Sequence, residues 1–299
     1  LNACGPGAEE PFVRTLQRLG QPALLVVEQA FPGLLWFNRH LAHRKLPEGK
    51  NVGPLARALL AFGADAVPSL LRIVLGGTAD QRYYGALVTG DALEDLVDER
   101  SRGQLVEALG ASLLDSDTQI RDVALHALTR VQGQPCLDPL ITRLIREATS
   151  GELEIAERVA ALRALGVLRA SRATPVVIEM LEFADPTVQD ACWRVLRVLT
   201  AEDKGPQKKK WAAWWRKHGG RPRREWLIDG LMHKSGDVRK IAHRELRRLS
   251  GYHVEFDPAG SRGERKRVQR LYQDWFEVTA AASKDPAPKV PEVPDAPSE

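Results

Sequence analysis

The sequence predicts an all-α protein, a right-handed α-solenoid of about six helical hairpins, on three observations. Apolar residues recur at three- and four-residue spacing, as in Leu105, Leu109, Leu113 and in Val159, Leu162, Leu165, Leu168. That spacing puts them on one face of a helix. Sustained alternation of apolar and polar residues, the mark of a half-buried strand, is not found. Helix punctuation recurs between the periodic stretches. Asp138-Pro139, Thr174-Pro175 and Asp185-Pro186 each set a capping oxygen before a proline, which loses no hydrogen bond in the first helical turn.

In chain order, residues 1–10 are expected to be a flexible lead-in and 11–281 the helical array, with 201–281 a basic, Trp-rich extension. Gly76-Gly77, Gly133 and Gly251 are expected helix stops, because glycine adopts the left-handed C-terminal conformation at no steric cost. Thr89-Gly90-Asp91-Ala92-Leu93-Glu94 reads as a start, with Asp91 as cap and Glu94 reaching back from the third position. Helices so bounded run about 10–16 residues and are joined by short turns. Residues 282–299 are Pro-rich and polar. Such a segment buries too little apolar surface to offset chain entropy, and disorder is expected.

The second helices of the hairpins resemble one another. Arg121, Ala124, Ala127, Leu128 share their offsets with Arg158, Ala161, Ala164, Leu165. Gln189, Cys192, Val195, Leu196 and Arg239, Ala242, Glu245, Leu246 follow the same spacing, and a weaker copy begins at Arg82 with Gly85 in the small position. A small residue three places after the anchor lets two helices approach closely. The leucine seven places after it fills the layer shared with the next hairpin.

These residues carry a family resemblance. Asp117-Thr118-Gln119-Ile120-Arg121-Asp122-Val123-Ala124-Leu125-His126-Ala127-Leu128 resembles the second helix of a HEAT repeat, D-x-x-V-R-x-x-A-x-x-A-L, and Asp185-Pro186-Thr187-Val188-Gln189 and Ser235-Gly236-Asp237-Val238-Arg239 repeat its opening. The resemblance covers residues 52–251 and, more loosely, the chain from 21. It departs at Gln189, where Arg is usual, and at Glu245, where a small residue is usual. Trp211, Trp214, Trp215 and Tyr272, Trp275, Phe276 then match at the same internal spacing. They are similar to the duplicated Trp-bearing extensions of some bacterial HEAT-repeat proteins. Phe31-Pro32-Gly33-Leu34-Leu35-Trp36-Phe37 is similar to an opening segment of that group, expected to close the first repeat's core. The resemblance implies an armadillo-like solenoid that binds proteins, although a minority of such folds bind nucleic acid or catalyse.

Composition excludes several classes. Hydrophobic residues at 43% and charged residues at 27% do not fit a disordered or collagen-like chain. No run approaches the roughly 18 apolar residues of a membrane span; the best stretch, 23–37, is broken by Glu28, Gln29 and Pro32. Cys4, Cys136 and Cys192 form no CxxC pair, so neither a disulfide framework nor structural zinc is expected. A cytoplasmic location is expected. Leu1-Asn2-Ala3-Cys4-Gly5 loosely resembles a bacterial lipoprotein box, which leaves a cell-envelope alternative with Cys4 lipidated.

Charge is unevenly placed. Residues 204–270 hold 20 Lys plus Arg against 7 Asp plus Glu, whereas 91–122 hold 9 acidic and 3 basic residues. Lys208, Lys209, Lys210, Arg216, Arg223, Arg224, Arg239 and Arg247 are therefore candidate partner-binding positions. Basic residues interleaved with Trp suit single-stranded nucleic acid, charges for phosphates and rings for bases. The competing reading is a solvated exterior around packed indoles, because Trp211, Trp214 and Trp215 fall on one helical face. Asp91, Glu94, Asp95 and Asp98 are spaced to form one acidic stripe opposite Leu93, Leu96 and Val97. It is either a plain solvated face or a dock for a basic partner; cation sites also draw ligands from irregular backbone.

No catalytic, cofactor-binding or metal-ligating residue is assigned. His40 and His43 lack a third ligand, and His243 and Glu245 do not form the His-Glu pairs with which HEAT-type hydroxylases hold iron. No Gly-rich phosphate loop, nucleophile elbow or HExxH motif is present. The expected function is a non-enzymatic scaffold or adaptor holding a partner protein. The alternative is a nucleic-acid binder, either non-specific or similar to HEAT-like DNA glycosylases, whose Trp, Asp and Arg lie on the concave face.

Overall fold

The computed structural model describes residues 5, 7–183 and 185–282; Cys4 and the expected disordered tail from 283 onward lie outside them. The described residues form α1 (Glu10–Leu19), α2 (Gln21–Ala30), α3 (Pro54–Ala61), α4 (Val67–Gly76), α5 (Ala79–Asp95), α6 (Glu99–Ala111), α7 (Thr118–Leu128) and α8 (Asp138–Thr149). They continue as α9 (Ile155–Val167), α10 (Thr174–Glu179), α11 (Pro186–Thr200), α12 (Lys208–His218), α13 (Arg223–Gly230), α14 (Gly236–Ser250) and α15 (Arg262–Ala282). Short 3-10 turns join several of them, and no strand occurs among the described residues. The chain divides into two compact units, one of residues 1–199 with 205–212 and one of 200–204 with 213–299.

In the first unit α4, α6 and α8 pack in succession as first helices. The second helices are α5, α7, α9 and α11. A Cβ on Gly90 would stand 3.0 Å from the Ala127 methyl, and one on Gly166 3.2 Å from Val195. Both positions require the near-absence of a side chain for neighbouring helices to touch. Ala124, Ala161 and Cys192 are buried in the small positions, and Leu128, Leu165 and Leu196 are buried four residues further on.

One helix start differs from the sequence reading. α5 begins with Thr78, whose hydroxyl and backbone form a capping box with Gln81, and Asp91 lies near its C-terminus. Gly85 and Gly90 do not break it. A Cβ at Gly85 would come within 2.5 Å of Ile73, so these glycines serve helix contact rather than a turn. Gly251 does close α14, in the left-handed conformation at φ 67°.

Between α2 and α3, residues 31–53 contain only a 3-10 turn at Gly49–Asn51. Phe31 is buried there, whereas Leu34 is exposed and Trp36 and Phe37 are half-buried, so the run expected to close a core contributes mainly Phe31 to it. In the second unit α13, α14 and α15 close a core of Ala201, Leu227, Leu231, Val238, Ala242, Leu246, Val268 and Tyr272. No single described helix is long and apolar enough to cross a membrane. The most apolar pair, Pro54–Ala61 with Gly63–Gly76, is bent by 117° and buries Leu55, Leu59, Leu70 and Ile73.

Candidate functional site

The anchor of each repeat has a defined job. Arg121 donates to the carbonyl of Asp115 at 2.6 Å, Arg158 to Leu153 at 3.0 Å and Arg82 to Gly77 at 2.9 Å. Gln189 donates to Phe183 at 2.5 Å and Arg239 to His233 at 2.6 Å. Each side chain turns back onto the loop that precedes its own helix, satisfying a carbonyl that the turn leaves open. Arg239 also donates to the carbonyls of Lys234 and Pro258.

The other departure, Glu245, is buried where its counterparts are the apolar Ala127, Ala164 and Val195. Its carboxylate meets Arg223 at 3.2 Å and Arg244 at 3.5 Å. A buried carboxylate persists only when paired, so Arg223 is committed to this contact. Of the remaining candidate basic residues, Lys208 bridges Glu179 and Glu182 at 2.6 and 2.7 Å. Arg247 meets the His253 ring nitrogen at 2.6 Å. Lys209, Lys210, Arg216 and Arg224 are exposed.

The aromatic residues of the extensions pack. Trp211 and Tyr272, at matching positions, are both fully buried, and the Trp211 indole N–H donates to the Gly205 carbonyl. Trp214 is buried, with Trp226 edge-on at 5.5 Å and His218 stacked at 5.1 Å. Trp275 is half-buried and stacks on Tyr252 at 6.2 Å.

The expected acidic stripe does not form on one helix. Asp91 is buried, accepts from the backbone N–H of Lys50 at 2.8 Å and meets Arg130 at 3.0 Å. Glu94 pairs with the same Arg130, while Asp95 closes α5. Asp98 starts the next helix by capping Ser101. The chain leaves helical geometry at Leu96, where ψ is 133°, and Val97 is turned to solvent at 90% exposure. Leu93 and Leu96 are buried as expected.

Sequence reasoning missed how residues 31–53 lie on α5. Arg39 is buried, with Asp80 at 2.7 Å, Asp117 at 2.8 Å and its guanidinium over the Tyr83 ring at 5.3 Å. Burial opposes the Arg39 charge, but the two carboxylates outweigh it and raise its pKa. The Arg39 N–H donates to the Tyr84 hydroxyl at 3.0 Å and its carbonyl accepts from Gln119 at 3.3 Å. Farther along, a Cβ on Gly49 would collide with the Leu87 backbone at 2.6 Å. His40 and His43 are exposed, with His43 against the Asn38 carbonyl.

In the second unit Glu202 meets His233 at 2.8 Å and Lys204 at 3.1 Å. Burial pushes its carboxyl pKa up, but His233, the Asp203 N–H and Lys204 overcome that and bring it down to about 2. The His233 Nδ1 accepts from the Ser235 N–H at 3.0 Å. This His-Glu contact therefore ties two loops together with both ring nitrogens in use. Among the described residues no three His, Cys, Asp or Glu side chains converge as a metal set.

No family model matches the chain, and no curated protein matches it. Solved structures similar to the chain include an engineered protein and a lyase complex. The engineered protein is 17% identical, over 80% of this chain and 96% of its own, at a TM-score of 0.36. The complex of CpcE and CpcF of phycocyanin lyase from Nostoc sp. is 18% identical, over 82% of this chain and 100% of its own, at a TM-score of 0.33.

Proposed function

We propose that the chain is a non-enzymatic scaffold, a right-handed α-solenoid of about six HEAT-like hairpins, that holds a partner protein along its second helices. The observation that supports it is a difference between repeats. One and five residues after the anchor, α5 has Tyr83 and Leu87, both buried beneath the chain's own segment. The corresponding face of α9 and α11 is open, with Arg163 at 61% and Arg194 at 73% side-chain exposure and Trp193 half-buried beside them. A half-buried Trp flanked by arginines has the composition of a protein-contact surface.

A specific observation favours the second reading, nucleic-acid binding: Lys209, Lys210 and Arg216 are exposed on one helix. Salt separates the two. Binding that rests on counterion release alone weakens steeply between low and physiological salt. The scaffold reading expects fluorescent single- and double-stranded oligonucleotides to lose binding there, with heparin competing equally. Sub-micromolar, heparin-resistant oligonucleotide binding at physiological salt would overturn it.

A further inference from the structure

The second unit contains a pocket of about 840 Å³ between α14, the loop 251–261 and the first turns of α15. His243 of α14 meets the Val254 carbonyl at 2.9 Å, and Arg239 donates to that of Pro258 at 2.6 Å. The loop is thus tied to α14 on both sides of Phe256. The Phe256 ring packs on His243 at 4.8 Å. With Val254 and Val268 it gives the pocket an apolar side.

Three arginines line the opposite side, Arg247 from α14 with Arg265 and Arg267 from α15, and none of them forms an ion pair among the described residues. Other cations of the unit are committed. Arg221 pairs with Glu225 and Asp229 at 2.8 and 2.7 Å, and Arg223 with Glu245. Arg247 instead donates to the His253 Nδ1 at 2.6 Å, a nitrogen that accepts only while it carries no proton. The carboxylates nearby have other work: Asp257 accepts from the Ala259 N–H at 2.8 Å and Glu264 from the Ser261 N–H at 2.7 Å, so both hold the turn into α15. Glu255 is exposed. The Arg265 Nε is shielded from solvent and has no hydrogen-bond partner, and neither has the hydroxyl of the fully buried Tyr272 two turns along the same helix. Tyr272 lies edge-on to His243 at 6.1 Å. Burial pushes its pKa up to about 12 against the pull of the Arg247 charge. A buried donor left unpaired is costly, and an acceptor placed beside Arg265 removes that cost.

We propose that this pocket binds a phosphate monoester, its phosphate oxygens on Arg247, Arg265 and Arg267 and its organic group on Phe256. The proposal goes beyond the scaffold reading and does not rest on it, since the pocket lies wholly within the second unit. Guanidinium forks match phosphate oxygens in pairs. A monoester carries close to two charges at neutral pH, where a carboxylate or a phosphodiester carries one. Residues 236–270 hold ten Lys plus Arg against five Asp plus Glu, and the positive field they make favours the higher charge. Inorganic phosphate would leave most of the pocket unfilled, whereas Phe256, Val254 and Val268 offer contact to an aromatic or alkyl group.

The test titrates the full chain with phenyl phosphate at physiological salt by isothermal calorimetry, with inorganic phosphate and benzoate for comparison. One saturable site is expected, binding phenyl phosphate more tightly than either. R247A/R265A should weaken it about tenfold or more. R247K/R265K keeps the charges without the forks and should recover only part of that loss, while K209A/K210A on α12 should change nothing. Helical circular dichroism confirms that the variants fold. Phe256→Ala supplies a second reading that leaves the arginines in place, and should bring phenyl phosphate down to the affinity of inorganic phosphate. Absence of saturable binding, benzoate binding as tightly as phenyl phosphate, or indifference to both R247A/R265A and Phe256→Ala would overturn the proposal. So would equal competition by an oligonucleotide without terminal phosphates, which would make the site a contact for nucleic-acid backbone. A phosphotyrosine peptide that binds more tightly than phenyl phosphate supports the proposal with a protein as the source of the ester; equal affinity supports it with a soluble ester. Failure here leaves the scaffold reading standing, because the salt and heparin titration decides that reading separately.

Discussion

The Gln189 side chain donates to the Phe183 carbonyl at 2.5 Å, from the place in its repeat where Arg121 donates to Asp115. An amide and a guanidinium thus do one task with different chemistry. The task is to close a loop, and any side chain with a donor of suitable reach can perform it. Replacing Gln189 by Ala should cost about 1 kcal/mol, the net worth of one such bond, while Gln189→Arg should be neutral or slightly stabilising. Urea unfolding midpoints of both variants check this, and a Q189A midpoint equal to the parent's would show that the contact does not matter.

Leu128 and Leu165 are fully buried seven residues after their anchors. Truncating either to Ala leaves a cavity in the core and should cost about 2–5 kcal/mol. On the proposed solenoid reading, in which each hairpin is stabilised by its nearest neighbours, hydrogen exchange should accelerate most in the altered hairpin and those beside it. Variants melting within about a degree of the parent would sink the packing assignment, since about 1 kcal/mol already shifts a Tm by a few degrees.

How far the sequence revealed the molecule follows from the range of each signal. The helices at 118–128 and 155–167 were legible because the anchor, small residue and leucine all lie within eight positions. The start of α5 was misread because Gly90 looks like punctuation until Ala127 is seen against it. The cover on α5 was not legible at all, since Arg39 and Asp80 are 41 residues apart and no local pattern pairs them. Arg239 fell into two readings at once, repeat anchor and candidate binding residue. The structure shows the first, through its bonds to His233 and Lys234.

Arg39 joins the opening segment to the N-termini of both α5 and α7. Arg39→Ala leaves Asp117 partly buried without its cation. Solvent reaches both carboxylates, so the cost is expected at about 1–3 kcal/mol, below that of a fully buried pair. Arg39→Lys should not rescue it, because a single ammonium cannot span two carboxylates while lying flat on Tyr83. The readout is amide exchange in residues 31–53, which should rise in both variants well before that of α9. Unchanged exchange there would contradict the anchoring role.

Glu202 gives stability an acid-side dependence of known sign. Its folded pKa of about 2 lies below the ordinary 4.5, so its contribution is complete above pH 4.5 and is lost as pH falls towards 2. Discounted for the water that reaches the site, that contribution is about 1–2 kcal/mol. Glu202→Gln should therefore be less stable than the parent at pH 7, the two curves converging as pH approaches about 2. Parallel denaturation curves with a constant gap from pH 7 to 3 would show that the charge on Glu202 is not responsible.

Trp214 and Trp275 occupy matching positions in the two extensions, yet Trp214 is buried and Trp275 only half-buried. The matched pair that is fully buried in both copies is instead Trp211 with Tyr272. Trp214 is covered by Trp226, which itself is fixed by an indole N–H bond to the His218 carbonyl at 2.8 Å. Trp275 has Tyr252 stacked on it and Phe276 edge-on at 5.0 Å, and stays half-buried. Acrylamide should accordingly quench the two unequally. Trp275→Phe should remove a quenchable component of the emission and Trp214→Phe a protected one, each read against the parent in the free protein. Buried indoles do not stack on bases without unpacking, so single-stranded oligonucleotide should not alter the Trp214 component. Equal and efficient quenching of both, relieved by oligonucleotide, would shift the assignment of this region from packing to base recognition.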